Sequence, residues 1–146
     1  MTADLQVLVK DWHWLIEFDR LKLLAISPFG DLLLQDDTGA LSLLDINLGK
    51  IEEATSDETD PALLFSDAFD DRLASSYRSA GLLLSPGQCY GYKRQCVLGG
   101  LYDVANVYIA NQEEYINFMG DFHRQIKDIP DGTKVTLKVI NVPSRR

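Results

Sequence analysis

Two cysteines, two histidines and several carboxylate pairs are the residues here whose types could do chemistry. Cys89 and Cys96 are separated by six residues, and His123, in Phe122-His123-Arg124, is the later of the two histidines. A thiol nucleophile needs a base beside it and a group to orient that base. No neighbouring motif orients His123 and no oxyanion motif accompanies either thiol, so a small Cys/His enzyme is the weakest functional reading. The C-x6-C spacing is not that of a zinc knuckle and no second pair exists. Two cysteines are also too few for a disulfide framework, and free, partly buried thiols are expected. His13 lies between Trp12 and Trp14 without ligand partners nearby. It reads as a helix histidine at the edge of a core.

Acid pairs recur at Asp36-Asp37, Glu52-Glu53 and Asp70-Asp71. Adjacent side chains point to opposite faces of a strand, or diverge by about 100° on a helix. Acids in wet loops keep ordinary pKa values, which gives acid–base catalysis little support. Asp31, Asp36, Asp37 and Asp45 lack the ordered spacing of a calcium loop. No G-x-S-x-G, P-loop, G-x-G-x-x-G or H-E-x-x-H is present. Catalytic residues, metal and cofactor are therefore all expected to be absent.

The densest cluster of unusual residues is GLLLSPGQCYGYKRQCVLGGL, Gly81 to Leu101. It holds five of the ten glycines, both cysteines, two of the six tyrosines and the basic pair Lys93-Arg94. Small residues at Ser85-Pro86-Gly87 and Gly99-Gly100 bracket a short run with strand character. Gly99-Gly100 could offer N–H groups to an anion, but a bulge or turn is the stronger reading. On alternating strand positions Tyr90 and Tyr92 share one face, with Cys89 and Gly91 on the other. The tyrosines, with Tyr102 and Tyr108, suit either an interface or an aromatic rim of the core.

These residues must be positioned by a chain of 146 residues, a length suited to one domain with one sizeable core. Residues 1–146 are expected to form a single α+β domain. The longest apolar runs are a few residues, far below the roughly 20 of a membrane span. The opening MTADLQVLVKDW lacks the pattern of a secretory signal, so a cytoplasmic protein is expected. Net charge is −8, and Asp31 to Asp71 holds twelve acids against one base, Lys50. Such a surface repels phosphate backbones, which argues against nucleic-acid binding. It either aids solubility or steers a basic protein partner.

The chain reads as a largely antiparallel sheet with about three helices. Leu5, Leu8, Val9, Trp12, Leu15 and Ile16 predict a helix over 4–17, capped by Asp4. A β-meander follows at 23–27, 31–35, 40–45 and 50–54, with a hairpin signal at Asp36-Asp37-Thr38-Gly39. After a polar loop over 55–60, a helix is predicted over 61–79, capped by Asp60 and ended by Gly81. Residues 103–110 read as a strand, and Asn111 with Glu114 forms a capping-box signature for a helix over 112–127. A turn at 129–132 and a strand over 133–142 close the chain.

Three segments stand in a familiar order: SPFGDLLLQDDTGALSLLDINLGKIEE, LSPGQCYGYKRQCVLGG and FHRQIKDIPDGT. In this order they resemble the bacterial unknown-function domain that forms the C-terminal part of type VI secretion DNase-toxin immunity proteins, a family associated with GAD-like domains. The resemblance extends from about Trp12 to Ile140. Phe29, Gly30 and Asp31 match the family's FGD signature. Pro86, Gly87, Tyr90 and Gly91 match its PG-x-x-YG signature, and Leu98, Gly99 and Gly100 its LGG turn. Tyr92 stands where the family usually has Phe. Some members carry an additional N-terminal domain, which this chain is expected to lack. A broader resemblance is to the superfamily of SMI/KNR-like immunity proteins.

The resemblance implies a non-enzymatic cytoplasmic protein that neutralises a partner, a basic nuclease toxin, by binding and occlusion. Asp36, Asp37, Glu52, Glu53, Asp57 and Glu58 are the candidate contact residues, because charge complementarity speeds capture of a basic cleft. The alternative is a stand-alone regulatory module with another protein partner.

Overall fold

The computed structural model describes residues 4–53 and 71–129. Helix α1, Leu5–Leu8, leads into strands β1 Lys22–Ile26, β2 Leu32–Gln35, β3 Leu41–Asp45 and β4 Lys50–Glu53. Helix α2, Asp71–Ser79, precedes β5 Gln88–Tyr92, β6 Val107–Asn111 and helix α3 Gln112–Ile126. Two 3-10 turns, Cys96–Leu98 and Val104–Asn106, lie between β5 and β6. The expected α+β class and N-terminal antiparallel meander are what the chain forms. The polar loop over 55–60, the start of the helix expected from Pro61 and the last turn and strand lie outside the described residues.

Strands β1 to β4 pair in sequence order, all antiparallel, and β5 pairs with β6 in a second, two-stranded sheet. Short turns force this neighbour order, since two- to five-residue connections cannot cross a sheet. At the β2–β3 turn the Asp36 carboxylate accepts the N–H groups of Thr38 and Ala40, and Gly39 supplies φ of 90°. Pairing places Leu32, Leu34, Leu44 and Ile51 on one face of the meander and Leu33, Leu43 and Glu52 on the other. The first face enters the main core, which also takes Leu5, Leu8 and Trp12 from the N-terminal segment and Ile116, Met119 and Phe122 from α3. Burying these side chains contributes roughly 1.5–3 kcal/mol each before conformational entropy is counted.

Strand β5 joins two cores through its alternation. Cys89 points into the main core, while Tyr90 and Tyr92 enter a second one with Phe29, Ala74, Tyr77 and Val107. Gly91 is required between them: a Cβ there would lie 2.9 Å from the Tyr115 ring and 3.0 Å from that of Tyr108. The faces expected of Tyr90 and Tyr92 are thus correct. Their interface reading is not, since both side chains are buried.

The N-terminal segment departs from the expected long helix. Only Leu5–Leu8 is helical, capped by Asp4 through the Gln6 N–H, and turns follow through Leu15. Trp12 and Trp14 explain this. Their rings stack at 5.8 Å, and both indoles bond to α3, Trp12 to the Ile116 carbonyl and Trp14 to that of Gly120. Residues two apart on a helix point to nearly opposite sides, so the two bonds exclude helical continuation. His13 consequently sits on an exposed turn rather than a helix, 3.8 Å from the Glu17 carboxylate.

Residues 103–106 also differ from the expected strand, because the Asn106 side chain draws them into a turn. Its Nδ2 donates to the carbonyls of Arg94 and Leu101, and its Oδ1 accepts the Arg94 N–H. Helix α3 begins as expected, with the Asn111 side chain accepting from the Glu114 N–H at 3.0 Å.

Candidate partner-binding surface

The candidate acids fall at one end and along one edge of the meander. Asp36 and Asp37 occupy the β2–β3 turn, and Glu52 and Glu53 are exposed on β4, with Glu53 opposite Ser42 of β3. Asp57 and Glu58 lie outside the described residues. Asp36 is committed to its own turn, accepting also from the Thr38 hydroxyl at 2.7 Å. That hydroxyl, followed by the turn's N–H groups, holds its carboxyl below the usual range. Asp37 stands 3.7 Å from the Arg20 guanidinium, and both are largely exposed. An ion pair so placed contributes little to stability. Asp19, Arg20, Lys22, Gln35, Asp36 and Asp37 border an open cleft of about 490 Å³, so acids and bases mingle at this end. Glu52 and Glu53 share β4 with Lys50, which stands opposite Asp45 of β3.

The motif residues build the scaffold that holds this surface. Ser27 Oγ accepts the N–H groups of Phe29 and Asp31, closing the FGD turn. The buried Asp31 carboxylate then accepts the Ile46 N–H at 2.9 Å, tying that turn to the one between β3 and β4. Asp45 accepts the N–H groups of Asn47 and Leu48, and Asn47 Nδ2 donates to the Phe29 carbonyl. Asn47 Oδ1 accepts the Tyr115 hydroxyl, whose oxygen takes the Tyr92 N–H in turn. His123 completes the junction, its Nε2–H donating to the Ile46 carbonyl at 3.0 Å. The FGD turn, the β3–β4 turn, β5 and α3 therefore meet in one hydrogen-bonded knot. In the sequence Asn47 reads only as the start of an Asn-Leu-Gly turn and Tyr115 only as an apolar position of a helix, so neither announces its part in this junction.

The signature glycines serve backbone geometry, with φ of 89° at Gly30, 83° at Gly87 and 88° at Gly99. Gly99 ends a 3-10 turn through its N–H to the Cys96 carbonyl, and Gly100 donates to the Gln95 carbonyl. The Gly99-Gly100 pair is a turn, as expected.

Both cysteines are free thiols. Cys89 is fully buried, and burial followed by the Asp31 charge pushes its thiol up to about 12. A thiolate is the reactive form, so Cys89 is inert at neutral pH. Cys96 Sγ lies 3.6 Å from the Asn47 carbonyl oxygen. Burial lowers the His123 pKa and favours its neutral ring, with Nε2–H engaged and Nδ1 packed on Gly49. Among the described residues no group of three or more His, Cys, Asp or Glu could hold a metal ion, and no helix is long and apolar enough to cross a membrane.

Asp31 and His123 impose opposite pH dependences. Burial first, then the charge of Asp45, holds the Asp31 carboxyl well above its ordinary value, against the opposing Ile46 N–H. A raised folded-state pKa gives stability that is fully present below the unfolded value and lost as pH rises through the folded one. The His123 contribution runs the other way: it is present above the ordinary value of 6.5 and lost as pH falls below it. Asp31→Asn keeps an oxygen for the Ile46 N–H and removes the buried charge. It is expected to raise stability at about pH 8 relative to wild type and leave the two nearly equal at about pH 4. Urea unfolding at both values checks this, and a parallel pH profile in the two proteins would contradict it.

Comparison with known proteins identifies the scaffold. The fold is similar to that in the crystal structure of Atu4351 from Agrobacterium tumefaciens, with a TM-score of 0.55 and 18% identity over 80% of this chain. The chain spans 62% of the length of that protein. No curated protein sequence matches it. Residues 51–123 match the family model described as T6SS immunity protein Tdi1, C-terminal, a span that includes the PG-x-x-YG and LGG signatures. With half its length in that match, and the signature residues forming the junctions of its fold, the chain belongs to the family of the Tdi1 immunity protein C-terminal domain.

Proposed function

We propose that this protein is a non-enzymatic binder that neutralises a type VI secretion toxin, a nuclease, by occluding it in the cytoplasm. The observation that carries this reading is the immunity-protein family match over residues 51–123. Two further features support it. Cys89 has no accessible thiolate, and His123 is spent on the Ile46 carbonyl. A nuclease needs a cationic cleft for its substrate, and the exposed acids Asp37, Glu52 and Glu53 complement such a cleft.

Asp37, Glu52, Glu53, Asp57 and Glu58 are the steering charges, while Asp36 adds its charge from within its own turn. Reversing the five to lysine, with Asp36 kept to preserve the turn, removes the attraction without unfolding the hairpin. The association rate with a cognate toxin is expected to fall about 10- to 100-fold at low ionic strength, with a much smaller change at high salt. An association rate unchanged at low salt would remove these residues from the interface.

A further inference from the structure

One residue at the β3–β4 turn is gripped from both sides by titratable side chains that the proposed function does not use. Ile46 donates its N–H to the Asp31 carboxylate at 2.9 Å, and its carbonyl accepts from His123 Nε2 at 3.0 Å. The two grips respond differently to acid. A carboxyl oxygen accepts a hydrogen bond whether or not the group is ionised, so Asp31 keeps the N–H as pH falls. A carbonyl cannot donate, so the proton of the neutral imidazole sits on Nε2, and acid adds a second proton at Nδ1.

That second proton meets a close-packed wall. The His123 ring is 5% exposed, and a Cβ on Gly49 would stand 2.4 Å from its Nδ1. The Trp12 and Phe122 rings lie 5.8 Å and 4.9 Å from it, centre to centre. Burial is the largest influence on the ring and opposes charge, against the carbonyls of Ile46 and Asn47. The Asn47 carbonyl is shared with the Cys96 thiol. The charged groups of the packed elements act elsewhere. Asp45 holds the N–H groups of Asn47 and Leu48, Glu52 and Lys50 act on Asp45, and Asp121 pairs with Arg124 on α3. Asp11, beside Trp12, does not act on the ring either, and among the described residues no acid steadies an imidazolium there.

We propose that His123 is a proton-operated latch on the β3–β4 turn: neutral, it holds residues 47–49 against α3, and protonated, it releases them. The Ile46 side chain is fully buried in the main core, so the part released is the turn that follows it, where Leu48 is exposed. Opening brings the ring to water and restores its ordinary value of 6.5. Each pH unit below that value therefore raises the open fraction about tenfold, until the ring titrates in the closed state. The turn is also a hub, through Asn47 Nδ2 to the Phe29 carbonyl and Asn47 Oδ1 to the Tyr115 hydroxyl. Its release loosens the FGD turn, α3 and the start of β4 from one another. The device belongs to the free protein and holds whatever the chain binds.

The test is hydrogen exchange of the free protein, read by NMR at about pH 7.5 and about pH 5.5 and corrected for intrinsic exchange, in wild type and His123→Gln. Glutamine keeps an N–H donor for the Ile46 carbonyl and has no proton to gain. Asp31 and Asp45, both raised chiefly by burial, favour the closed state in acid, and do so in both proteins. The His123 effect is the difference between the two. Relative to the variant, opening at Asn47, Leu48 and Gly49 in wild type is expected to rise about threefold or more at the lower pH. Ile116 and Met119 in α3 are expected to keep their protection. In wild type alone, the amides of 47–49 are expected to shift with the same midpoint as the His123 ring, and ring nitrogen shifts to show the Nε2–H form at neutral pH. This arm decides the matter if the glutamine variant does not fold. An equal response in the two proteins, or a ring that charges while 47–49 stay protected and unshifted, would overturn the latch. Loss of protection at Ile116 and Met119 in step with the turn would overturn it too, since acid would then unfold the core rather than open a turn.

Discussion

Trp12→Ala is expected to remove about 3–5 kcal/mol of folding stability, a large part of the roughly 5–15 kcal/mol typical of a domain. The indole is fully buried and its Nε1–H donates to the Ile116 carbonyl at 2.7 Å. Alanine leaves both a cavity and an unpaired carbonyl inside the main core. The loss should spread, because the N-terminal segment is stitched to α3 at neighbouring points. Asn117 Oδ1 accepts the Asp11 N–H, its Nδ2 donates to the Val7 carbonyl, and a Cβ on Gly120 would lie 2.6 Å from the Asp11 oxygen. Urea unfolding should show a lower midpoint with little change in slope. A loss below about 1 kcal/mol would mean that this segment is not the structural partner of α3.

Gly49→Ala is expected to cost about 2–5 kcal/mol, from a left-handed backbone and an overpacked junction together. Gly49 has φ of 73°, and its added Cβ would lie 2.4 Å from His123 Nδ1. The imidazole cannot retreat without giving up its bond to the Ile46 carbonyl, which in turn holds the turn that Asp31 caps. Gly39→Ala provides the comparison: φ is 90° there, but the nearest atom is 3.9 Å away. It should lose only the backbone part, about 1–2 kcal/mol. Pairing Gly49→Ala with His123→Ala should recover some of the loss as a favourable coupling. Equal costs at positions 49 and 39 would place the strain in the backbone alone.

The parts of this fold that sequence reveals are those decided locally. Alternation and turn chemistry located the four meander strands, since a hairpin's register follows from a few adjacent residues. Asn111 and Glu114 announced α3 because capping is a contact across one turn. The apolar spacing of Leu5 to Ile16 misled because tertiary bonds from Trp12 and Trp14 to α3, more than 100 residues away, override local helix preference. Asn106 acts in the same way on residues 103–106, through partners 5 and 12 positions back. The acids of the candidate surface were legible as charge, yet Asp36 and Asp31 look alike in sequence and differ entirely in setting. One caps an exposed hairpin and the other is a buried brace. The PG-x-x-YG and LGG signatures lie within the span that matches the family and form junctions of the fold, which is also why they say little about what it binds.

The proposed neutralisation is tested most directly by titrating the DNA cleavage of a cognate nuclease toxin with this protein. Binding by occlusion predicts that cleavage falls in proportion to added protein and ceases near one equivalent, in a complex of about nanomolar affinity. Undiminished cleavage at a large molar excess would contradict the account.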